Sequence, residues 1–538
     1  MTTATGTGTI APYRSELPAG RDGFAQLLRA EWTKFRTVRG WVIGMLAAAL
    51  LTVLVGLLGS GGGSVSCSGP GGQSCKPSAP PMGPDGEAVT DGFYFVRQPL
   101  AGDGSITVRV TSLTGLYSPN GAAPAGQGPL AGMRSGTQPW SKAGIIVKQS
   151  TSQGSAYAAM MVTGSHGVRM QDDYTHDVAG LPGAVSAASP RWLRLTRSGD
   201  TITGDESADG THWTTLGTAH LAGLPATVQA GLFAASPDYA VTTQNFGGGS
   251  NSSGGPTQAT ARFDHVSLQG TWPGGAWTGD DLRGQAGGNG PSGPSVGFQQ
   301  AGGGFTVSGS GDIAPALPGE GPQSKIENGL VGVFAGLIVV VVVATMFITA
   351  EYRRGLIRTT LAASPRRGRV LAAKAIVIGS VTFVTGLAAA GVAVPLVVWL
   401  ERHKGFYVFP VTSLTELRVI AGTAALLAVA AVLALGIGTV LRRSAGAVTA
   451  VIVAIVLPYV LAVASVLPAG AAEWLLRLTP AAAFAIQQSM PQYPQVIGNY
   501  TPNKGYYPLA PWAGFAVLCA WAALALGLAV VLLRRRDA

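Results

Sequence analysis

Apolar residues are spaced along this chain in two distinct ways. Six runs are almost continuously apolar, at residues 41–58, 329–350, 375–400, 419–441, 447–467 and 512–533. A bilayer's hydrocarbon core takes roughly 20 mostly apolar residues per helix, so each run predicts a membrane-spanning helix. Between the first and second lies a hydrophilic insert, residues 59–328, whose apolar positions fall in short, largely alternating stretches. These begin at Ile106, Ala143, Ala156, Gly167, Trp192, Val228 and Ala261, and turn signals such as Ser198-Gly199-Asp200 and Ala208-Asp209-Gly210 separate several of them. Short strands at this spacing predict an all-β antiparallel sandwich, and about 180 residues suffice to bury their own core. The expected fold class is an α-helical polytopic membrane protein of six spans with an inserted sandwich.

A helical rhythm precedes the first span. Phe24, Leu27, Leu28, Trp32, Phe35 and Val38 recur at steps of three and four, with Arg29, Lys34, Arg36 and Arg39 between them. That predicts an amphipathic helix in the membrane interface, with Phe24, Leu28, Trp32 and Phe35 as its apolar contacts. Residues 1–23 read as a disordered tail, 24–58 as interfacial helix and first span, 59–90 as a Gly/Ser/Pro linker, 91–320 as the sandwich and 329–538 as the other spans. Glycine runs at 59–63 and 302–304 look like hinges. The stretch from Trp474 to Trp512 carries Pro480, Pro491 and Pro494 and is expected to form a re-entrant or interfacial hairpin, since so long an exposed loop is unusual.

Charge then orders the topology. A net charge of +10 would by itself allow nucleic acid, but the charge is unevenly placed. The insert holds 13 Lys and Arg against 18 Asp and Glu, and the rest of the chain 23 against 8. The excess lies before the first span, between the second and third, at Arg442 and Arg443, and at Arg534, Arg535 and Arg536. The positive-inside rule places both termini in the cytoplasm and the insert outside. Nucleic acid is excluded as a partner, because the basic residues do not gather on one folded module; the lipid bilayer is implied. The first run starts about 40 residues in and exits through a glycine linker, so it reads as a retained span and not a signal peptide.

Candidate chemistry is sparse. Cys67 and Cys75 stand just beyond the first span, where an oxidising exterior favours a disulfide over two free thiols; so short a loop contributes about 2–3 kcal/mol. Cys519 reads as packing. No Gly-rich phosphate loop ending in Lys-Ser or Lys-Thr occurs, and the histidines show no metal-ligand spacing. Asp205 and Glu206 would serve a glycosidase only if their carboxylates faced each other across a cleft, roughly 5–10 Å apart. Asp172, Asp173 and Asp177 offer oxygen ligands for calcium at a spacing that is not diagnostic. No catalytic residue or metal ligand is assigned. The spans carry almost no charge in their middles, whereas self-powered carriers usually need ionisable groups there. The energy source is therefore expected on a partner.

Two resemblances refine this reading. Residues 140–148, 157–163, 191–200 and 207–213 are similar to the concanavalin-like lectin/glucanase jelly rolls of bacterial secreted proteins. That implies a jelly roll whose concave face holds a glycan or peptide, with Trp140, Tyr157, Trp192 and Trp213 as candidate stacking aromatics. Since such residues are more often core, one of the four is expected to be exposed. The segment from Phe305 resembles the opening strand of these modules but comes last; a circular permutation or a stray strand would each account for it.

The basic segment after the second span carries the sharper resemblance. Glu351, Gly355, Leu361, Ser364, Pro365, Arg369 and Lys374 match, residue by residue, the permeases of ABC exporters of the second type. Glu31-Trp32-Thr33-Lys34 and Leu478-Thr479-Pro480 fit the same pattern. The resemblance implies a bacterial plasma-membrane permease, working as a homodimer or with a second permease, that moves substrate outward. ATP and magnesium would be held by a separate ABC ATPase subunit, and no cofactor by this chain. It implies a coupling helix at 351–367, with Glu351, Gly355, Arg358, Leu361, Pro365, Arg366, Arg367 and Arg369 coupling to that ATPase. The insert departs from simpler members, which have only a short loop there. Rival readings are a membrane-anchored glycan-binding receptor, adhesion or signalling protein and a tethered glycan hydrolase.

Overall fold

The computed structural model describes residues 23–61, 79–119, 132–245, 249–283, 296–318, 323–363, 366–464 and 466–535. Cys67, Cys75, Ser364 and Pro365 lie outside these. The helices are α1 Phe24–Thr37, α2 Arg39–Gly61, α3 Val333–Arg353, α4 Leu356–Ala363, α5 Arg367–His403, α6 Ser413–Leu441, α7 Ser444–Val463, α8 Ala469–Leu478 and α9 Pro511–Arg535. Six of them (α2, α3, α5, α6, α7 and α9) are long and apolar enough to cross a membrane. The predicted run 375–400 is the apolar middle of the 37-residue α5, whose first two turns are basic. The run 447–467 ends early, at Val463.

Close approach between these helices depends on small residues, since apolar side chains gain little by leaving lipid for one another. Gly56 of α2 lies against the Gly329 backbone, and Gly332 and Gly336 lie against Thr52. Gly436 of α6 meets the Ala525 backbone of α9. The loop after α8 turns back inward: all eight residues of the 3-10 segment Pro480–Gln487 are buried, packed against α6 and α9.

The insert forms a large antiparallel β-sheet domain. Along its main path the strand order is Thr214–His220, Thr201–Ser207, Arg191–Ser198, Tyr94–Tyr117, Thr227–Ala235, Lys142–Lys148, Tyr157–Thr163, Val168–Asp172 and His176–Ala179. The 24-residue strand Tyr94–Tyr117 belongs to two neighbourhoods. Its first part pairs with Thr227–Ala235, its second with Arg191–Ser198 and Thr257–Thr271. Alternate residues from both parts and from neighbouring strands, including Val96, Ile106, Val108, Ile145, Met160, Leu193 and Leu232, share one core. In the half carrying Lys142–Lys148 and Tyr157–Thr163 the opposite face is also buried, with Phe93, Phe95, Ile146, Tyr157, Met161 and Phe233 in a second core.

The two ends of the insert meet. Val89–Asp91 pairs with Ile313–Pro315, and two wholly buried lysines at the two ends of Lys142–Lys148 hold them down. Lys142 Nζ donates to Asp312 and to the Ile313 carbonyl, each at 2.7 Å. Lys148 Nζ donates to Asp91 at 2.7 Å; burial pushes its ammonium pKa down, and Asp91 opposes that. Gly304–Gly309, the strand expected to open the module, pairs with Thr257–Thr271 and with Gly297–Ala301. Gly302 and Gly303, at φ +58° and +78°, form the two-residue turn of that last hairpin, which demands left-handed backbone. They are a turn and not a hinge.

Candidate functional site: a buried charge cluster beside a short basic helix

At the end of the helices remote from the β domain, α1, α3 and α5 converge on four charges. Lys374 of α5 has no exposed side-chain surface, and its Nζ lies 2.7 Å from Glu31 Oε2 on α1 and 2.7 Å from Glu351 Oε1 on α3. Lys34, one turn along α1, lies 2.9 Å from Glu31 and 3.2 Å from Glu351. Two cations face two carboxylates, so the cluster is neutral. Burial lowers the Lys34 pKa, but hydrogen bonds and charge from Glu31 and Glu351 outweigh it and leave it raised. Beneath Lys374 sits the Phe347 ring, 4.8 Å from its ammonium. Phe347 also meets Phe35 at 5.9 Å and Trp41 at 5.0 Å, so the helix entering the first span is pinned to α3 by both charge and aromatic packing.

The apolar contacts expected of α1 in the membrane interface were Phe24, Leu28, Trp32 and Phe35. Phe35 is buried and Phe24 and Leu28 are half-buried, but Trp32 is 47% exposed and the other buried residue is Glu31. Glu351 was expected to face a partner and is instead consumed inside the chain. The signal that could have found the cluster was present: an acid on α1, an acid closing the second span and a Lys opening the third, all adjoining apolar runs.

The expected coupling helix is also shorter than 351–367. Gly355, at φ +68°, follows Arg354, the residue that caps α3, a position where a left-handed residue commonly ends a helix; α4 then begins at Leu356. Arg358 and Leu361 lie on α4, and Leu356 and Thr359 are exposed. Arg366 and Arg369 are exposed at the start of α5, whereas Arg367 donates to the Leu533 carbonyl of α9. Together with Gly368 and Arg534, these three arginines line an open recess. Arg442, at the end of α6, lies 5.2 Å from the Tyr352 ring.

A family model described as ABC-2 family transporter protein matches residues 147–538. The chain belongs to the ABC-2 transporter family. It is thus a multi-pass membrane permease of an ABC transporter, a membrane subunit that pairs with an ABC ATPase. No curated protein matches it. Among solved structures it is similar to a functionally unknown protein from Saccharomyces cerevisiae (16% identity, 34% of this chain and 76% of that one, TM-score 0.20). It is also similar to a GH43 protein from Bacillus licheniformis (16%, 31% and 28%, TM-score 0.17) and to scytalido-glutamic peptidase (9%, 42% and 100%, TM-score 0.24). Likeness at that level assigns neither fold nor chemistry.

The permease's four candidate sugar-stacking aromatics divide into two pairs. Trp140 is 5% exposed and stacks on His166 at 4.0 Å; Tyr157 is 0% exposed and packs on Tyr174 at 4.9 Å. Tyr157 is core, because its half of the sheet is covered on both faces, whereas Trp140 is covered by His166 and Arg169. Trp192 and Trp213 are half-buried. The Arg194 guanidinium lies 3.8 Å from the Trp213 ring, and Arg109 and His265 flank Trp192 at 5.6 and 5.2 Å.

The imagined carboxylate pair does not form. Glu206 accepts two contacts from the Leu181 N–H, at 2.9 and 3.1 Å, while Asp205, the next residue on the strand, accepts from Thr215. Neighbours on a strand point to opposite faces. The three candidate calcium ligands also have separate partners: Asp177 takes Arg169 and Gln171, Asp172 takes His176, and Asp173 takes the Tyr157 N–H.

Proposed function

We propose that the permease moves substrate outward, driven by ATP hydrolysed on a separate subunit docked at α4 and the start of α5. The observation that carries this reading is the neutral Glu31–Glu351–Lys374–Lys34 cluster. It ties α1, α3 and α5 into one body directly beside a short helix, α4, with exposed arginines next to it. A push on α4 would reach two spans at once. The excess of basic residues at that end argues that it is cytoplasmic, with both termini inside and the β domain outside. Two copies, or a copy and a second permease, would make the transport unit. The β domain would be a jelly-roll cap that binds a glycan or peptide, with Trp192 and Trp213 as the remaining candidate contacts.

Reversing charge at Arg366 and Arg369 tests the docking. Both are exposed, so the double change to Glu should leave the permease in the membrane while lowering ATP hydrolysis of the reconstituted complex, because complementary charge at an interface governs association. ATPase activity equal to that of the unaltered complex would reduce these arginines to topology markers.

A further inference from the structure

At the β-domain end of the helices an open cleft of about 440 Å³ lies between the start of α3, the end of α7 and the loop preceding α9. We propose that it binds a zwitterionic amphiphile: a headgroup with an ammonium and an anionic group, on an apolar chain. One wall is apolar and holds Val331, Phe334, Tyr459 and Val463. The Phe334 and Tyr459 rings lie 4.3 Å apart, and each packs on Phe484, at 4.6 and 4.4 Å. That surface is fixed by its own stacking. At its edge Val331 is 54% exposed, so the apolar wall opens at the level where the helices end and headgroups would begin.

The opposite wall is polar and carries both signs. Glu327 lines it with both carboxylate oxygens buried and without a hydrogen-bond partner. Its nearest cation, Lys325, lies 3.2 Å from one oxygen but directs its ammonium to the Lys504 carbonyl and to the Tyr506 ring, 4.7 Å away. A buried carboxylate lacking donors is costly, and an incoming ammonium supplies them. Lys504, exposed on the same wall, offers the positive charge for the anionic group. A purely anionic head would give Glu327 no hydrogen-bond donor beyond its Lys325 ion pair; a purely cationic one would meet Lys325 and Lys504. The cleft's volume lies within the range of small-molecule sites.

The test uses the full chain, purified in detergent and stripped of lipid. It is titrated separately with lysophosphatidylethanolamine, lysophosphatidylglycerol and an alkyltrimethylammonium of matched chain length, with occupancy read by native mass spectrometry. The ethanolamine lipid should bind tightest. Glu327→Gln and Lys504→Glu should each weaken it about tenfold, the size of one lost hydrogen bond to a charged group. Lys504 is exposed, so its variant keeps the fold even where Glu327→Gln disturbs it. Equal affinity for all three headgroups, or unchanged binding in the Lys504 variant, overturns the proposal. The readout involves neither ATP nor transport, so its failure leaves the export reading untouched.

Discussion

Lys374 is the residue on which three helices depend, and its removal has a calculable consequence. A wholly buried ion pair contributes little net stability, because desolvation offsets attraction, but deleting one partner strands the other charge. Lys374→Met should therefore destabilise the permease by about 3–5 kcal/mol, read as a lowered thermal midpoint in detergent. Adding Glu351→Gln should recover part of that loss, since the stranded carboxylate goes with it. If the two substitutions instead add, the groups are not coupled and the cluster is a chance proximity of side chains. Each member was visible in the sequence, but as separate signs: a topogenic Lys, an acid ending a span, an acid on a basic helix. Their meeting was not visible, because Lys374 and Glu31 are 343 residues apart and no local periodicity reports such a contact.

At the scale of elements, the strands were legible where one face is wet and misleading where both faces are dry. Arg191–Ser198 alternates, and its outward Trp192 and Arg194 stay half-exposed. Tyr157–Thr163 is a nearly continuous apolar run, buried at every position, and that continuity is itself the mark of a strand covered on both sides. It should have placed Tyr157 in the core. The cover comes in part from the ends of the insert, which gives a prediction. A fragment of residues 79–318 should fold alone with mostly β circular dichroism. Ending it at Gly309 removes the strand Ile313–Pro315 and the Asp312 partner of buried Lys142, and should lower its melting point by several degrees, on the order of 2–4 °C per kcal/mol lost in a domain of this size. Equal melting of the two fragments would mean the ends are decoration, and the clamp would have no energetic role.

For the whole molecule, the two ends of the helix bundle differ in charge character. Remote from the β domain lie Lys34, Arg36, Arg39, Arg353, Arg354, Arg366, Arg369, Arg443 and Arg534, against the two carboxylates of the cluster. At the β-domain end the charges are mixed, with Glu327, Glu401, Glu416 and Glu473 among Lys325, Arg418, Arg477 and Lys504. Contacts bind the β domain to that mixed end: Ser324 donates to Glu401 at 2.5 Å, and Gln495 Nε2 reaches the Tyr174 and Thr175 carbonyls at 3.4 and 3.3 Å. The sidedness proposed above rests on the basic end alone, since Lys and Arg resist translocation. With Cys67, Cys75 and Cys519 replaced by Ser, single cysteines are introduced at Thr211, exposed in a β-domain turn, and at Thr359, exposed on α4. A membrane-impermeant maleimide applied to intact cells should label the Thr211→Cys protein and spare the Thr359→Cys protein until the membrane is opened. The reverse pattern would put α4 outside the cell, where no ATP-hydrolysing partner could reach it, and would end the export reading together with the topology.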